Sequence, residues 1–487
     1  MLFRQIFDEK LAQYAYLIGC QQTGEALLID PGRDIDQYLG LAEGEGVAIT
    51  AVTETHIHAD FLSGARECAE RFGTMLYLSD EGTDEWKYEW AQTPDGRRDS
   101  GDDYDVTWLY DNSTFSIGNI EITALHTPGH TPGHLSFLIT DKGGGAHEPM
   151  GLVTGDFVFV GDLGRPDLLE SAANVEGAMD PSARTLYDSV QRFLDLPDHL
   201  QVWPAHGAGS ACGKALGAVP QSTVGYEKRF NPMIDAARRD EDTFVDAILE
   251  DQPEPPLYFA RMKRDNKTGP PVLGELPSPR ALTARELHDV AADEEALVID
   301  TRRDRSAFMD HHIPGALYAP MNKTFNTVVG SLVEDATTPI SLIIDEEDVD
   351  EAVRDLVRIG HDNVQGFAEI ETLQRYFANG GTSAAIKERP FDDLLALRTG
   401  DTAVLDVRYR SEYEAGHVKG ALNASYTRLP EYAADLPTDR TMIVHCGSGA
   451  RAAAASAYLQ RTGRDVIYVN DRFSNYESTE EEATVAA

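Results

Sequence analysis

Short apolar runs recur through the first half of the chain, and each one ends in a polar cluster. The run ALLIDPG at 26–32 stops at Pro31-Gly32, and GVAITAVTETH at 46–56 runs directly into polar residues. IEITALH at 120–126, LSFLI at 135–139 and GLVTGD at 151–156 repeat the form. Runs of this length, bounded by turn residues and separated by helical patterns, predict buried strands of an α/β domain. The opening MLFRQIFDEKLAQYAYLIG predicts a first strand. Asp8 and Glu9 interrupt it, and no basic segment or small-residue cleavage site accompanies it, so it does not read as a signal peptide. The polar, turn-rich stretch at 83–105 predicts an insertion or lid loop.

The Pro/Gly-rich stretch 251–280 (DQPEPP, KTGPPV, LPSPR) reads as a linker, and ANGGTS at 378–383 as a shorter one. Between and after them the chain repeats itself. LVIDTRRDRSAFMDHHIPGAL at 297–317 lines up with AVLDVRYRSEYEAGHVKGAL at 403–422, matching Asp300 to Asp406, Arg302 to Arg408 and His312 to His417. Each copy continues into another apolar strand and then a helix, which is α/β alternation. Copies this large are not solenoid repeats; they suit two small duplicated domains. The expected organisation is a first domain at 1–255, repeats at 281–380 and 385–476, and a disordered acidic tail at 477–487. A prior of roughly 150 residues per domain agrees with about three domains.

The strand ends carry candidate metal chemistry. THIHADF at 55–61 places His56 and His58 on either side of a residue that points the other way, so both can face one cavity. HTPGHTPGH at 126–134 has helical spacing, but its Pro and Gly residues forbid a helix; a tightly turned loop can aim one of its histidines inward. Gly155-Asp156 ends one strand and Pro204-Ala205-His206-Gly207 another. Four His- or Asp-bearing loops at strand ends, in this order, point to a metal site. His126, His134 and Cys212 read as ordinary loop or buried residues, and Arg165 as a structural ion-pair partner.

A second chemistry lies in the last repeat. The strand MIVH is followed by Cys446, then Gly447, Ser448, Gly449, Ala450 and Arg451, and then a helical pattern. Backbone amides of this loop and the helix start can stabilise a thiolate or persulfide, and Arg451 can pair with a sulfonate-like oxyanion. In the first repeat the position matching Cys446 reads as Asp345, followed by further acidic residues. A carboxylate cannot carry sulfane sulfur, so that copy is expected to be inactive.

Composition adds two constraints. The net charge is −40, with arginine far outnumbering lysine. Such a surface repels nucleic acid and anionic membranes, and it predicts a salt-loving source. The four cysteines (Cys20, Cys68, Cys212, Cys446) form no C-x-x-C pair. That argues against a disulfide framework or zinc ribbon and for a reducing cytoplasm. No apolar run reaches the roughly 20 residues needed to span a bilayer.

The order THxHxD, TPGHTPGH, TGD, PAHG over residues 1 to about 250 resembles the metallo-β-lactamase superfamily, and GDFVFVGDLGRPDL at 155–168 resembles its persulfide dioxygenase branch. The resemblance implies an αβ/βα sandwich and one Fe(II) per chain held by His56, His130 and Asp156, with His58, Asp60 and His206 around those ligands. Hydrolytic members carry a histidine where this chain has Phe61, so a binuclear zinc site would lack a ligand. The 2-His-1-carboxylate set leaves positions open for sulfur and O₂. Ala208 and Met233 stand where glutathione-using members carry Tyr and Arg, which speaks against glutathione as thiol carrier. Residues 385–476 resemble rhodanese sulfurtransferases, which implies Cys446 as persulfide carrier. The expected function is oxidation of a low-molecular-weight persulfide with O₂ to sulfite and thiol, coupled to transfer of sulfur between sulfite and thiosulfate, in a cytoplasmic homo-oligomer. The alternative is a zinc-dependent thioester hydrolase fused to a sulfurtransferase.

Overall fold

The computed structural model describes residues 1–92, 104–168, 177–210, 212–214 and 216–476. The acidic tail at 477–487 and residues 93–103 of the expected lid loop lie outside the described residues. The chain divides into two compact units: Met1–Pro255 with Phe259–Glu275, and Pro256–Tyr258 with Leu276–Ala487.

The first unit holds two six-stranded sheets. One runs in the order β1 (Leu2–Asp8), β2 (Gln13–Cys20), β3 (Glu25–Ile29), β4 (Ala48–Thr53), β5 (Met75–Ser79), β6 (Val106–Leu109). The other contains β7 (Thr114–Ile117), β8 (Ile120–His126), β9 (Leu135–Asp141), β10 (Gly151–Gly155), β11 (Gln201–Pro204) and β12 (Ser222–Thr223), and runs from β12 back to β7. Strand β2 shows why both faces of a sheet are covered. Tyr14, Tyr16, Ile18 and Cys20 pack into the core shared with the second sheet, while Ala15 and Leu17 pack against helices on the other face. The period of two sorts one apolar run into two cores. The second sheet is backed in the same way by helix Met179–Leu194, whose Leu186, Val190 and Phe193 are buried beside Leu152 and Val202. The result is the expected αβ/βα sandwich.

Three local expectations change. The N-terminal stretch is a hairpin and not one strand: β1 pairs antiparallel with β2, because Asp8 Oδ1 accepts from the amides of Lys10 (2.9 Å) and Leu11 (2.7 Å) and turns the chain. The described part of the expected lid is packed, with Trp86, Tyr88 and Trp90 buried. The stretch read as a linker contains helix Phe259–Thr268, which belongs to the first unit.

The second unit contains two five-stranded sheets with matching strand orders. The first is β13 (Arg280–Ala281), β17 (Val364–Ala368), β16 (Ile340–Ile343), β14 (Leu297–Asp300), β15 (Leu317–Tyr318). The second is β18 (Lys387–Arg389), β22 (Val466–Val469), β21 (Thr441–His445), β19 (Thr402–Asp406), β20 (Leu422–Asn423). Among the described residues, neighbouring strands in both sheets pair in parallel. The repeated Asp-x-Arg does the same job twice. Arg302 Nη2 bonds Asp300 Oδ2 at 2.7 Å, and Arg408 Nη2 bonds Asp406 Oδ2 at 2.6 Å. His312 and His417 each place Nδ1 2.8 Å from the carbonyl four residues earlier.

Among the described residues no helix is long and apolar enough to cross a membrane.

Candidate metal centre and sulfur-transfer loop

The loops after β4, β8, β10 and β11 converge. His56, His130 and Asp156 are all buried, and each offers a ligand atom within 4.8 Å of the others. His130 Nε2 lies 3.4 Å from Asp156 Oδ2. The histidines are prepared for a cation by what their other nitrogens touch. His130 Nδ1 donates to the Arg165 carbonyl at 2.9 Å, which leaves Nε2 without a proton and facing the site. The Thr55 hydroxyl donates to Asp30 Oδ2 (2.9 Å), so His56 Nδ1, 3.0 Å away, donates to it, and Nε2 is again bare. Burial pushes His130 down to about 4 and His56 well below its ordinary value. Neutral imidazole is the ligating form. Burial raises Asp156 to about 6, the cost of taking a carboxylate out of water.

Of the residues expected around these ligands, His58 bonds Asp30 through one ring nitrogen and stands with the other, Nδ1, 3.9 Å from Asp60 Oδ1. Burial alone would lower it, but Asp30, Asp60 and Glu54 outweigh that and hold it at about 9. Its Nε2 donates to Asp30 Oδ1 at 3.0 Å. Asp60 and His206 group instead with Cys212, again within 4.8 Å of one another and buried. His206 Nδ1 donates to the Ala12 carbonyl (3.1 Å), and Nε2 stands 3.4 Å from both Asp60 Oδ2 and Asp156 Oδ1. Asp60 Oδ2, Asp156 Oδ1 and His206 Nε2 are buried with no hydrogen-bond partner among the described residues. Lone pairs converging in this way, without protons between them, fit a bound cation. Phe61 is fully buried against the His58 ring (4.4 Å between centroids) and offers no ligand atom.

Several further residues hold this centre. Asp30, at the end of β3, accepts from Thr55 N (2.7 Å), Thr55 Oγ1 and His58, and so orients the whole His56–His58 loop. His134, expected as an ordinary loop residue, accepts the Asp156 amide at Nε2 (3.0 Å) and fixes the backbone of that ligand. Gly155 must be glycine: φ is +54°, and a Cβ would lie 2.6 Å from His134 Nε2. Asn266, in the expected linker, donates to the carbonyls of His58 (2.8 Å) and Phe61 (2.7 Å) and accepts Ser63 N (2.9 Å). Cys212, expected to be inert, sits beside Asp60 and His206; only the fold makes them neighbours. Arg165 bonds Asp167, as expected of a structural pair (Nε–Oδ1 2.8 Å).

In the second unit the Cys446 loop follows β21. Cys446 is buried, and its Sγ accepts the Gly449 amide at 3.1 Å. Gly449 has φ +88°, and a Cβ there would strike Asn470 and Tyr468. Helix Ala450–Arg461 starts immediately after. Arg451 does not reach out from the loop; Glu412 holds its guanidinium, Nη2–Oε1 2.7 Å. The strand register corrects the equivalence between repeats. Asp300 pairs with Ile343 and Asp406 with His445, so the residue matching Cys446 is Ile344, not Asp345. Ile344 is buried, and Asp345 corresponds to Gly447. The aligned sequences allow a one-residue shift here, and the sheet does not.

Comparison with known proteins matches both units of the chain to known domains. Residues 9–206 match the metallo-β-lactamase superfamily, and residues 391–479 match the rhodanese-like domain. A solved metallo-β-lactamase from Staphylococcus aureus subsp. aureus COL is 39% identical, with TM-score 0.65, over 76% of this chain and 99% of that one. The mitochondrial persulfide dioxygenase ETHE1 of Bos taurus is 26% identical over 239 residues, 48% of this chain and 76% of the relative. A β-lactamase hydrolase-like protein of Xylella fastidiosa (strain 9a5c) is 28% identical over 259 residues, 49% of this chain, and the match spans only 53% of that relative's length. With its converging His/Asp loops in one unit and its cysteine loop in the other, the chain belongs to the metallo-β-lactamase superfamily and carries a rhodanese-like domain in the same polypeptide.

Proposed function

We propose that the first unit oxidises a low-molecular-weight persulfide with O₂, and that Cys446 exchanges sulfane sulfur with the product. The observation that carries the reading is the set His56, His130 and Asp156: two bare imidazole nitrogens and one carboxylate, with Phe61 where a further histidine would ligate. Iron held by these three would supply a site at which sulfur and O₂ meet. The balance is R–S–SH + O₂ + H₂O giving R–SH, sulfite and two protons. The Arg165 carbonyl and Thr55 hydroxyl keep the two imidazoles turned inward, His134 fixes Asp156, and His58 is anchored to Asp30. Similarity to a persulfide dioxygenase supports the substrate class. Ala208 and Met233 favour a thiol carrier other than glutathione.

The Cys446 thiolate takes the terminal sulfur of the persulfide and releases thiol; sulfite then accepts that sulfur from the Cys446 persulfide to give thiosulfate. The Gly449 amide, already on Sγ, can stabilise the charged sulfur. The module with Ile344 in the matching place cannot carry sulfur.

One observation favours a second reading. Asp60, His206 and Cys212 form a further donor set, and Asp156 stands between the two sets. Two zinc ions there would suit a thioester hydrolase. Metal analysis of protein purified without oxygen, followed by O₂ uptake with several persulfides, separates the two. About one iron per chain and persulfide-dependent O₂ uptake are expected; two zinc ions with thioesterase activity and no O₂ uptake would overturn the dioxygenase reading.

The charge of −40 supports a high-salt, cytoplasmic setting. The melting temperature should rise by roughly 10 °C or more as KCl goes from about 0.1 M to molar concentration, because screening lengths fall to about 3 Å. A melting temperature that is flat or falls with salt contradicts this.

A further inference from the structure

A sulfur oxyanion that reacts at Cys446 brings negative charge to a thiolate, so it needs a cation at the loop. Two guanidiniums of the loop's own module are already occupied. The Arg451 guanidinium is held by Glu412 (Nη2–Oε1 2.7 Å), and that of Arg408 by Asp406 (Nη2–Oδ2 2.6 Å) under the Phe473 ring. Each is already matched by a carboxylate.

Another guanidinium arrives from the repeat that has no cysteine. Arg305, the first residue of helix Arg305–Asp310, donates from Nη2 to the Ser448 carbonyl at 3.1 Å. It is half-buried and makes no ion pair among the described residues. Its remaining N–H groups meet no acceptor among those residues. Ser448 and Ala450 form the exposed part of the loop, whereas Cys446 is 1% exposed, so Arg305 stands at the side from which a solute approaches.

The seam that delivers Arg305 is well tied. Ser306 Oγ bonds Glu388 Oε2 (2.9 Å), and Asn470 Nδ2 bonds Glu388 Oε1 (2.8 Å). His312 Nε2 meets Gln460 Oε1 (2.8 Å), and Arg461 Nη1 meets the Gly315 carbonyl (2.7 Å), both on the helix that follows the loop. On the loop's inner side, Tyr468 donates its hydroxyl to the Gly449 carbonyl (3.0 Å).

We propose that Arg305 orients the sulfur oxyanion, thiosulfate or sulfite, at Cys446, and that the cysteine-less repeat is retained because it supplies this residue. The inference rests on the reading of Cys446 as a sulfur carrier. In the thiosulfate direction the Cys446 thiolate attacks the outer sulfur, the S–S bond of thiosulfate breaks, and sulfite leaves with the electron pair. Arg305 would hold the sulfonate oxygens through that exchange, using the donors that Ser448 leaves free.

The test uses the full-length chain with Arg305→Ala and Arg305→Lys and reads two quantities. The first is thiosulfate:thiol transfer. KM for thiosulfate should rise about tenfold in Arg305→Ala with kcat changed less than about threefold, and Arg305→Lys should lie between. The second is alkylation of Cys446, followed on its own peptide, by anionic iodoacetate and by neutral iodoacetamide. Both reagents need the same thiolate, so their rate ratio reads the local charge independently of sulfur transfer. The iodoacetate:iodoacetamide ratio should fall several-fold in Arg305→Ala and recover in Arg305→Lys. An unchanged KM, or a KM rise with an unchanged ratio, overturns the proposal, the latter because it signals mere distortion of the loop. If the wild-type chain moves no sulfur from thiosulfate yet the ratio still falls, the sulfurtransferase reading fails and the anion-orienting role of Arg305 stands.

Discussion

Asp156→Ala is expected to leave the chain with less than about a tenth of its wild-type metal and with no measurable persulfide-dependent O₂ uptake. Asp156 is the one anionic donor in the set with His56 and His130. Without it a divalent ion would keep only two neutral imidazoles from this set, and no carboxylate of the set to offset its charge. The substitution should not harm the fold. The carboxylate is 1% exposed, burial lifts it to about 6, and its Oδ1 has no hydrogen-bond partner among the described residues. Removing an uncompensated buried carboxylate relieves a desolvation cost. The melting temperature of chelator-treated Asp156→Ala should therefore equal or exceed that of chelator-treated wild type. Elemental analysis, O₂ electrode traces and melting curves on the two proteins decide it. Retention of a full equivalent of iron by the variant would show that the ligand set is wrongly assigned.

Cys446→Ser is expected to lower thiosulfate:thiol transfer by at least about a hundredfold while persulfide-dependent O₂ uptake stays near wild type. A serine hydroxyl fits where Sγ accepts the Gly449 amide, so the loop should keep its shape. At neutral pH the hydroxyl is protonated and a far poorer nucleophile. His56, His130 and Asp156, the proposed iron ligands, belong to the other unit and are untouched. With no sulfur carrier, the product of persulfide oxidation should shift from thiosulfate toward sulfite, read by chromatography of trapped sulfur anions. Ile344→Cys provides the converse test and should gain no transfer. Asp345 and a 3-10 turn at Glu346–Asp348 follow it, in place of the glycines that bring an amide onto Sγ. Wild-type amounts of thiosulfate from Cys446→Ser, with sulfite excluded from the reagents, would sink the coupled mechanism.

The sequence by itself determined whatever is written locally. Short apolar runs bounded by turn residues marked the strands, and Pro and Gly inside HTPGHTPGH ruled out a helix and left a loop able to aim one histidine inward. The repeated Asp-x-Arg announced two copies of one fold, and both sheets have the same strand order. The loop from Cys446 to Arg451 was legible because its residues are contiguous. The tertiary structure decided every relation between distant segments. Asp30, Cys212 and Asn266 show no signal in the sequence, yet folding brings Asp30 and Asn266 onto the His56–Phe61 loop and Cys212 beside Asp60 and His206. Charges found their partners through space: Arg451, read from the sequence as a partner for an oxyanion, is matched by Glu412, and Arg305 of the cysteine-less repeat meets the Ser448 carbonyl. The equivalence of Cys446 with Ile344 rather than Asp345 was likewise settled only by strand pairing. A hydrogen-bonded ladder admits one register, whereas two aligned sequences tolerate a slip of one residue.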